Sequence, residues 1–291
     1  CVILKINISN DKKAKLLMII SALSFSIMAA IVKATPHTVA VKAFSRQIFS
    51  CVFVLSIIYL NNNRIIPLKK NRIKLLLRCL FGTVGIYLYF YSIDNLLLAN
   101  ASMLTRLSPF FVTLFAFLIL KETVNSLSWL IFIPMIIGCG FIIKPNTDLF
   151  HLASIFAILS ACSASLAYIM IKLISKEESA YTIIFWFTLI SSVIYFIIAK
   201  EELLILDEIQ YLSLAMIGLF GVVGQIGLTF SYQLTKASHV APYSYFYIIF
   251  SGLLGYYFWN EIPDILSITG YCLIIISFYY LMRLNKKSLI V

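Results

Sequence analysis

The stretch SALSFSIMAAIVK (residues 21–33) recurs 139 residues later as SACSASLAYIMIK (residues 160–172). At the same offset LFGTVG (80–85) meets LFGVVG (219–224), and Glu122 meets Glu261. Apolar segments often match by chance, because they draw on few residue types. One ungapped offset that fits three separated landmarks nevertheless indicates an internal repeat, and this repeat decides the fold class.

The composition of the chain is typical of an integral membrane protein. Of the 291 residues 62% are apolar and 12% are charged, and the mean hydropathy is +0.98. Soluble domains have about 45–50% apolar and about 25% charged residues. The net charge of +11 indicates no nucleic-acid partner, because the basic residues lie between apolar runs. The expected partners are therefore the lipid bilayer and a small-molecule solute, and the oligomeric state is left open.

The apolar runs predict ten transmembrane helices, since about 20 apolar residues cross a bilayer. Short breaks with charged, Pro or Asn residues separate them. The predicted spans are 15–34, 39–60, 74–93, 97–120, 127–144, 152–173, 180–199, 210–231, 238–259 and 265–283.

The lysines and arginines predict the orientation. With the N-terminus in the cytoplasm, 16 of the 23 lie in inner loops and tails, three lie in outer loops and four lie at membrane depth. Cytoplasmic loops carry the excess of basic residues, so the tails 1–14 and 284–291 are expected inside and the loop 200–208 outside.

The repeat units are predicted at 15–144 and 152–283, with five spans each. Because five is odd, the second unit must cross the membrane in the opposite sense. The expected architecture is an all-α polytopic membrane protein made of two inverted five-helix repeats. This plan recurs in transporters, whose substrate site lies near the midplane between the halves.

The segment LANASMLTRLSPFF (98–111) resembles the EamA-type branch of the drug/metabolite transporter superfamily, together with Gly82-x-x-Gly85 and EIPD (261–264). The resemblance covers nearly the whole chain. It implies a secondary transporter of a small organic metabolite in the cytoplasmic (inner) membrane of a bacterium. APYSY (241–245) and NEIPD (260–264) resemble the S-adenosylmethionine uptake transporters of that family. Export of drugs or excess metabolites is the alternative.

Arg106 lies well inside the fourth span, three residues before Pro109. Proline cannot donate to the carbonyl of Thr105, so a break or kink is expected there. A charge at this depth costs roughly 2.5–3.5 kcal/mol on insertion scales. Arg106 therefore either binds an anionic substrate group in a central cavity or bonds the freed carbonyls.

The remaining basic residues at membrane depth are Lys42, Arg46 and Arg78. Arg46 is expected to line the pathway, since an arginine is common at this position in the resembled family, or to have a structural role. Lys42 and Arg78 lie nearer to span ends. Arg78 is expected to snorkel to the interface, and Lys42 either snorkels or lines the pathway. No Asp or Glu lies in the middle third of any span, and Glu122 and Glu261 are expected to cap helices and form interfacial ion pairs.

Tyrosines complete the predicted site, because tyrosines away from an interface need a partner for each hydroxyl. Tyr245 is the repeat counterpart of Arg106 and is expected to face it across the cavity. The candidate substrate-binding residues are Arg106, Arg46, Tyr245, Tyr243, Tyr91 and Ser102.

A membrane-embedded enzyme is the alternative from another class. It would need a nucleophile, a metal cluster or a paired acid and base at one depth. The sequence has no His-x-x-Glu-His motif, no Asp pair and no nucleophile-elbow serine, and its six cysteines form no CxxC pair. No catalytic residue, metal or cofactor is therefore predicted.

Overall fold

The computed structural model describes residues 10–60, 65–121, 126–144, 152–203 and 208–287, and within them it is helical without strands. Seven helical segments are long and apolar enough to cross a membrane, and two shorter apolar helices cover Trp129–Ile143 and Ile265–Leu281. The chain is therefore a multi-pass helical membrane protein.

The helices follow the predicted apolar runs. They are α1 (Asn10–Ala34), α2 (Val39–Leu60), α3 (Arg72–Asn95), α4 (Leu98–Thr105), α5 (Ser108–Leu120), α6 (Ser126–Ile143), α7 (Leu152–Ile174), α8 (Ala180–Leu203), α9 (Glu208–Leu234), α10 (Ala237–Val240), α11 (Phe246–Trp259) and α12 (Ile265–Lys287).

Two of the predicted spans are broken. The fourth ends its first helix at Thr105 and resumes at Ser108, with Pro109 in the first turn of α5, so the predicted break is confirmed. Proline suits this place because the first turn of a helix leaves its N–H groups unpaired in any case. The ninth span is broken by a 3-10 turn, Ala241–Tyr245, between α10 and α11. Arg106 and Tyr245 thus lie at the breaks of two different spans.

Large apolar side chains cover the outside of the bundle. On α6, Leu130, Ile133 and Ile136 are each more than half exposed and follow one another at three-residue spacing. Soluble monomers rarely expose continuous apolar surface of this kind. This surface is compatible with lipid hydrocarbon.

Contacts between the two halves come in matching pairs. Helix α1 packs along α9, and α7 packs along α3. The Ser21 hydroxyl donates to the Gly224 carbonyl at 2.7 Å, and the Ser160 hydroxyl donates to the Gly85 carbonyl at 2.8 Å. These four residues correspond at the 139-residue offset, so the halves meet through equivalent atoms.

One end of the bundle is tied together by Glu261. Its carboxylate pairs with Lys33 and accepts the Leu98 N–H at 2.7 Å. This contact satisfies a free N–H in the first turn of α4, so the expected capping and ion-pairing role of Glu261 is confirmed. Its counterpart Glu122 lies outside the described residues.

A second ion pair joins the loops beyond the spans. Asp264 accepts hydrogen bonds from Lys144 Nζ at 2.7 Å and from the Ser267 hydroxyl at 2.6 Å. Both bonds favour the charged carboxylate, with Lys144 contributing most, and they hold the pKa of Asp264 below its usual value. The loop between α11 and α12 is thereby fixed to the end of α6.

Helices α6 and α12 cross at a pair of glycines. A methyl group on Gly138 would lie 2.8 Å from the Gly270 carbonyl oxygen, and one on Gly270 would lie 2.5 Å from the Gly138 carbonyl oxygen. Small residues at such crossings let helix backbones approach closely. This crossing holds the last helices of the two halves together.

Candidate functional site

A cavity of about 100 Å³ lies among the helices of both halves. Its walls combine arginines with aromatic rings, hydroxyl groups and small residues. They are Phe25, Met28, Arg46, Arg78, Gly82, Gly85, Ile86, Tyr89, Thr105, Arg106, Ser108, Ser160, Ala161, Ala164, Ala167, Tyr168, Phe187 and Gln225.

Arg106 enters this cavity from the break in the fourth span. Its carbonyl accepts the hydroxyl of Tyr245 at 2.6 Å, so the backbone there is satisfied by a tyrosine. The guanidinium carbon lies 3.8 Å from the centre of the Tyr247 ring, a distance typical of a cation–π contact. Its Nε is buried without a hydrogen-bond partner among the described residues.

Arg46 reaches the same cavity from α2. It is 4% exposed and donates to the side-chain oxygens of Gln47 at 2.7 Å and Gln225 at 3.3 Å. A methyl group on Gly221 of α9 would lie 2.7 Å from Arg46 Cγ. The glycine therefore provides the space through which this side chain passes to the cavity.

Arg78 is a third arginine in the cavity wall, and the expectation that it snorkels was wrong. It is 2% exposed, and its guanidinium carbon lies 3.9 Å from the centre of the Phe187 ring. A methyl group on Gly82, one turn along α3, would lie 2.2 Å from its terminal nitrogen Nη1. The space above Gly82 lets the side chain lie along α3 and reach the cavity.

Lys42 was expected to snorkel or to line the pathway, and it does neither. It is 3% exposed, and its ammonium group binds both carboxylate oxygens of Asp94, at 2.8 and 2.9 Å. Asp94 lies in the last turn of α3, close to the start of α2 where Lys42 is located. The pair neutralises a charge that would otherwise be buried alone.

The three cavity arginines have no such partner. Within the described ranges, no carboxylate lies within 4.0 Å of Arg46, Arg78 or Arg106. Arg46, Arg78 and Arg106 line the same cavity, so like charges share one space. An isolated charge is expensive inside a membrane protein, so the cavity favours an occupant that carries negative charge.

The other candidates are placed around this cavity. Tyr245 stacks on Phe278, with ring centres 4.3 Å apart, and contacts Arg106 through the backbone carbonyl. Tyr243 lies under the ammonium group of Lys15, and the Tyr91 ring packs on Phe156. Ser102 is fully buried on α4. Of the six candidates, Arg106 and Arg46 line the cavity and the others do not.

Several lining residues were not among the six candidates. Besides Arg78 they include Tyr89, whose hydroxyl bonds that of Tyr247, as well as Phe187 and Gln225. Gln225 offered a usable signal, because a glutamine inside an apolar, glycine-rich span needs a polar partner. The aromatic residues offered none, since rings are equally common on lipid-facing surfaces.

Within the described part of the chain, no group of three or more His, Cys, Asp or Glu side chains could hold a metal ion. The arrangement offers cationic hydrogen-bond donors and aromatic faces in one cavity. It is suited to binding an anion.

Comparison with known proteins matches the chain twice to the EamA-like transporter family, over residues 12–144 and 151–283. The pseudopaline exporter CntI of Pseudomonas aeruginosa is 30% identical over 280 residues, which cover 94% of this chain and 98% of that protein. The S-adenosylmethionine uptake transporter of Rickettsia prowazekii is 24% identical, over 85% of this chain and 84% of that protein.

A solved crystal structure shares the fold with a TM-score of 0.65 and 13% sequence identity. The match covers 95% of this chain and 98% of that one. The family and the named relatives are transporters of small solutes, and the protein is therefore a membrane transporter rather than an enzyme.

Proposed function

We propose that this chain, which belongs to the EamA-like transporter family, moves a small organic metabolite with an anionic group across the membrane by alternating access. Arg106 binds the anionic group and Arg46 supports it. The observation that carries this proposal is that both arginines line one cavity between the halves, with no carboxylate beside them in the described residues. A substrate carboxylate would supply the missing partner.

The proposed architecture is ten spans in two inverted repeats, 15–144 and 152–283. It is supported by the equivalent hydrogen bonds of Ser21 and Ser160 and by the two family matches, whose starting points differ by the same offset as the sequence repeat. Two similar bundles in opposite orientation have similar energies with either side open. A modest rocking of one against the other can then exchange the two states.

The proposed location is the cytoplasmic membrane of a bacterium, with both termini inside. The distribution of lysine and arginine among the loops supports this orientation. The named bacterial relatives support the location.

The proposed substrate class is an amino acid or an amino-acid derivative, of which S-adenosylmethionine is one candidate. The tyrosines beside the arginines suit it, because aromatic faces stack on planar or cationic groups. Tyr245, Tyr243, Tyr91 and Ser102 do not line the cavity in this structure, and they remain proposed substrate-binding residues. Export is the second candidate direction, since a relative at 30% identity is named an exporter.

Transport by purified protein in proteoliposomes tests this proposal, with labelled amino acids and S-adenosylmethionine as probes in both directions. Arg106→Gln should lower transport about ten- to hundredfold, because a charge-assisted hydrogen bond contributes about 1.5–3 kcal/mol. Arg106→Lys should restore only part of it, since an ammonium group lacks the planar fork of a guanidinium.

Arg283→Gln is the matched control, because Arg283 is exposed near the end of α12. It should transport like the wild type. If Arg106→Gln also transports like the wild type, Arg106 does not bind the substrate and the proposal is wrong.

A further inference from the structure

We propose that Arg78 forms a second anion-binding subsite, so that the substrate carries at least two carboxylates on separate arms. This inference rests on the proposed function and narrows its substrate class. It assigns a specificity-determining role to a residue that lies outside the Arg106–Arg46 pair.

The first argument is that Arg78 is buried and unpartnered. Its side chain is 2% exposed, and its Nε has no hydrogen-bond partner in the described part of the protein. It lies over the ring of Phe187 and fills the space above Gly82. A guanidinium stacked on a ring directs its in-plane N–H groups past the ring, and those groups match the geometry of a carboxylate. The donors that Arg78 brings into the cavity are therefore available to a ligand.

The second argument is that the subsites of Arg78 and Arg106 are separate. The Arg78 guanidinium lies beside Gly82, while Arg106 stacks on Tyr247, whose hydroxyl bonds that of Tyr89. Gly82 and Tyr89 are seven residues apart on α3, which corresponds to about 10 Å along a helix. The two guanidinium groups lie over different rings, Arg78 over Phe187 and Arg106 over Tyr247. Each can therefore bind a carboxylate of its own, and two carboxylates joined by a flexible chain can reach both.

The third argument is charge. Arg46, Arg78 and Arg106 line one cavity, and the described residues place no carboxylate near them, so their positive charges repel one another. A solute with one negative charge leaves much of this repulsion in place. A net cation, such as S-adenosylmethionine with its sulfonium and ammonium groups, adds to it. A dicarboxylate or tricarboxylate removes it, and attraction to several buried cations contributes to its binding.

The experiment compares dicarboxylates with their monoamides on purified protein. Glutarate, adipate and suberate serve as probes of increasing length, and binding is measured as the ligand-dependent rise in melting temperature. The wild type should bind the better diacids at least tenfold more tightly than their monoamides. Arg78→Gln should remove this preference, because it weakens diacid binding much more than monoamide binding. The expected loss for the diacids is about ten- to hundredfold.

Arg78→Lys should keep a weakened preference, and the melting temperature of each variant without ligand controls for folding. Equal binding of diacid and monoamide by the wild type, or no binding of any diacid, would overturn the inference. So would a preference that survives in Arg78→Gln. If Arg106→Gln abolishes binding while Arg78→Gln does not change it, only this inference fails and the proposed function stands.

Discussion

Replacing Arg78 by methionine should stabilise the empty protein while it impairs substrate binding. Methionine has nearly the same length as the aliphatic part of arginine, and its sulfur packs well against aromatic rings. It can therefore occupy the space above Gly82 and keep contact with Phe187. The substitution removes only the charge and its hydrogen-bond donors.

The magnitude follows from two opposing contributions. Burying an unpaired cation in a membrane helix costs about 2.5–3.5 kcal/mol on insertion scales. The cation–π contact with Phe187 returns about 0.5–2 kcal/mol. The difference predicts that Arg78→Met raises the free energy of unfolding by about 0.5–3 kcal/mol.

Lys42→Met is the matched control, and its expected change in the free energy of unfolding has the opposite sign. Lys42 is equally buried, but it holds both carboxylate oxygens of Asp94. Its removal leaves a partly buried carboxylate without its partner. We expect a loss of about 3 kcal/mol, the lower end of the range for broken buried pairs, because Asp94 is 21% exposed.

The assay is thermal or denaturant unfolding of each purified variant in the same detergent without substrate, followed by binding of the dicarboxylate probes. The expected pattern is a more stable Arg78→Met that binds diacids poorly and a less stable Lys42→Met. A clear loss of stability in Arg78→Met would refute the reasoning, because it would show that Arg78 has a structural partner in the folded protein.

Two further predictions concern packing and topology. Gly138→Ala should lower the free energy of unfolding by about 1–3 kcal/mol, as overpacking does, because the new methyl group meets the Gly270 carbonyl oxygen. Gly140→Ala on the same helix is the control: its methyl group has nothing within 4 Å, and the variant should be as stable as the wild type or more so. Equal melting temperatures for the two variants would contradict the described crossing. In a cysteine-free background, Glu201→Cys should react with an impermeant thiol reagent in intact cells. Lys176→Cys should react with the same reagent only after lysis. The reverse pattern would show that the orientation is inverted.

Much of the fold follows from local sequence. The membrane class and the helix positions depend on how many apolar residues stand between polar breaks, and this property survives in any tertiary arrangement. The break near Arg106 follows from the chemistry of Pro109 alone. The repeat follows from comparing the chain with itself, and equivalent hydrogen bonds at Ser21 and Ser160 accompany it in the structure.

The site was only partly predictable. Arg106 and Arg46 stand out because a charge in the middle of an apolar span is energetically costly and marks a functional or structural site. Tyr243 and Tyr91 were chosen as aromatic residues near a presumed cavity, but sequence does not show which side of a helix meets the cavity. The structure places both away from its walls.

The sequence alone determined that the protein is embedded in a membrane, where its helices lie and that its halves are related by a repeat. The first two depend on residues near one another in the chain, and the third depends on matching segments. Only the tertiary structure decided where the charged side chains end. Arg78 and Lys42 both lie near the ends of predicted spans, yet one enters the cavity and the other pairs with Asp94. The position of a long flexible side chain depends on its neighbours: a glycine can leave space for it, and a carboxylate can form an ion pair with it. Folding alone brings those neighbours together.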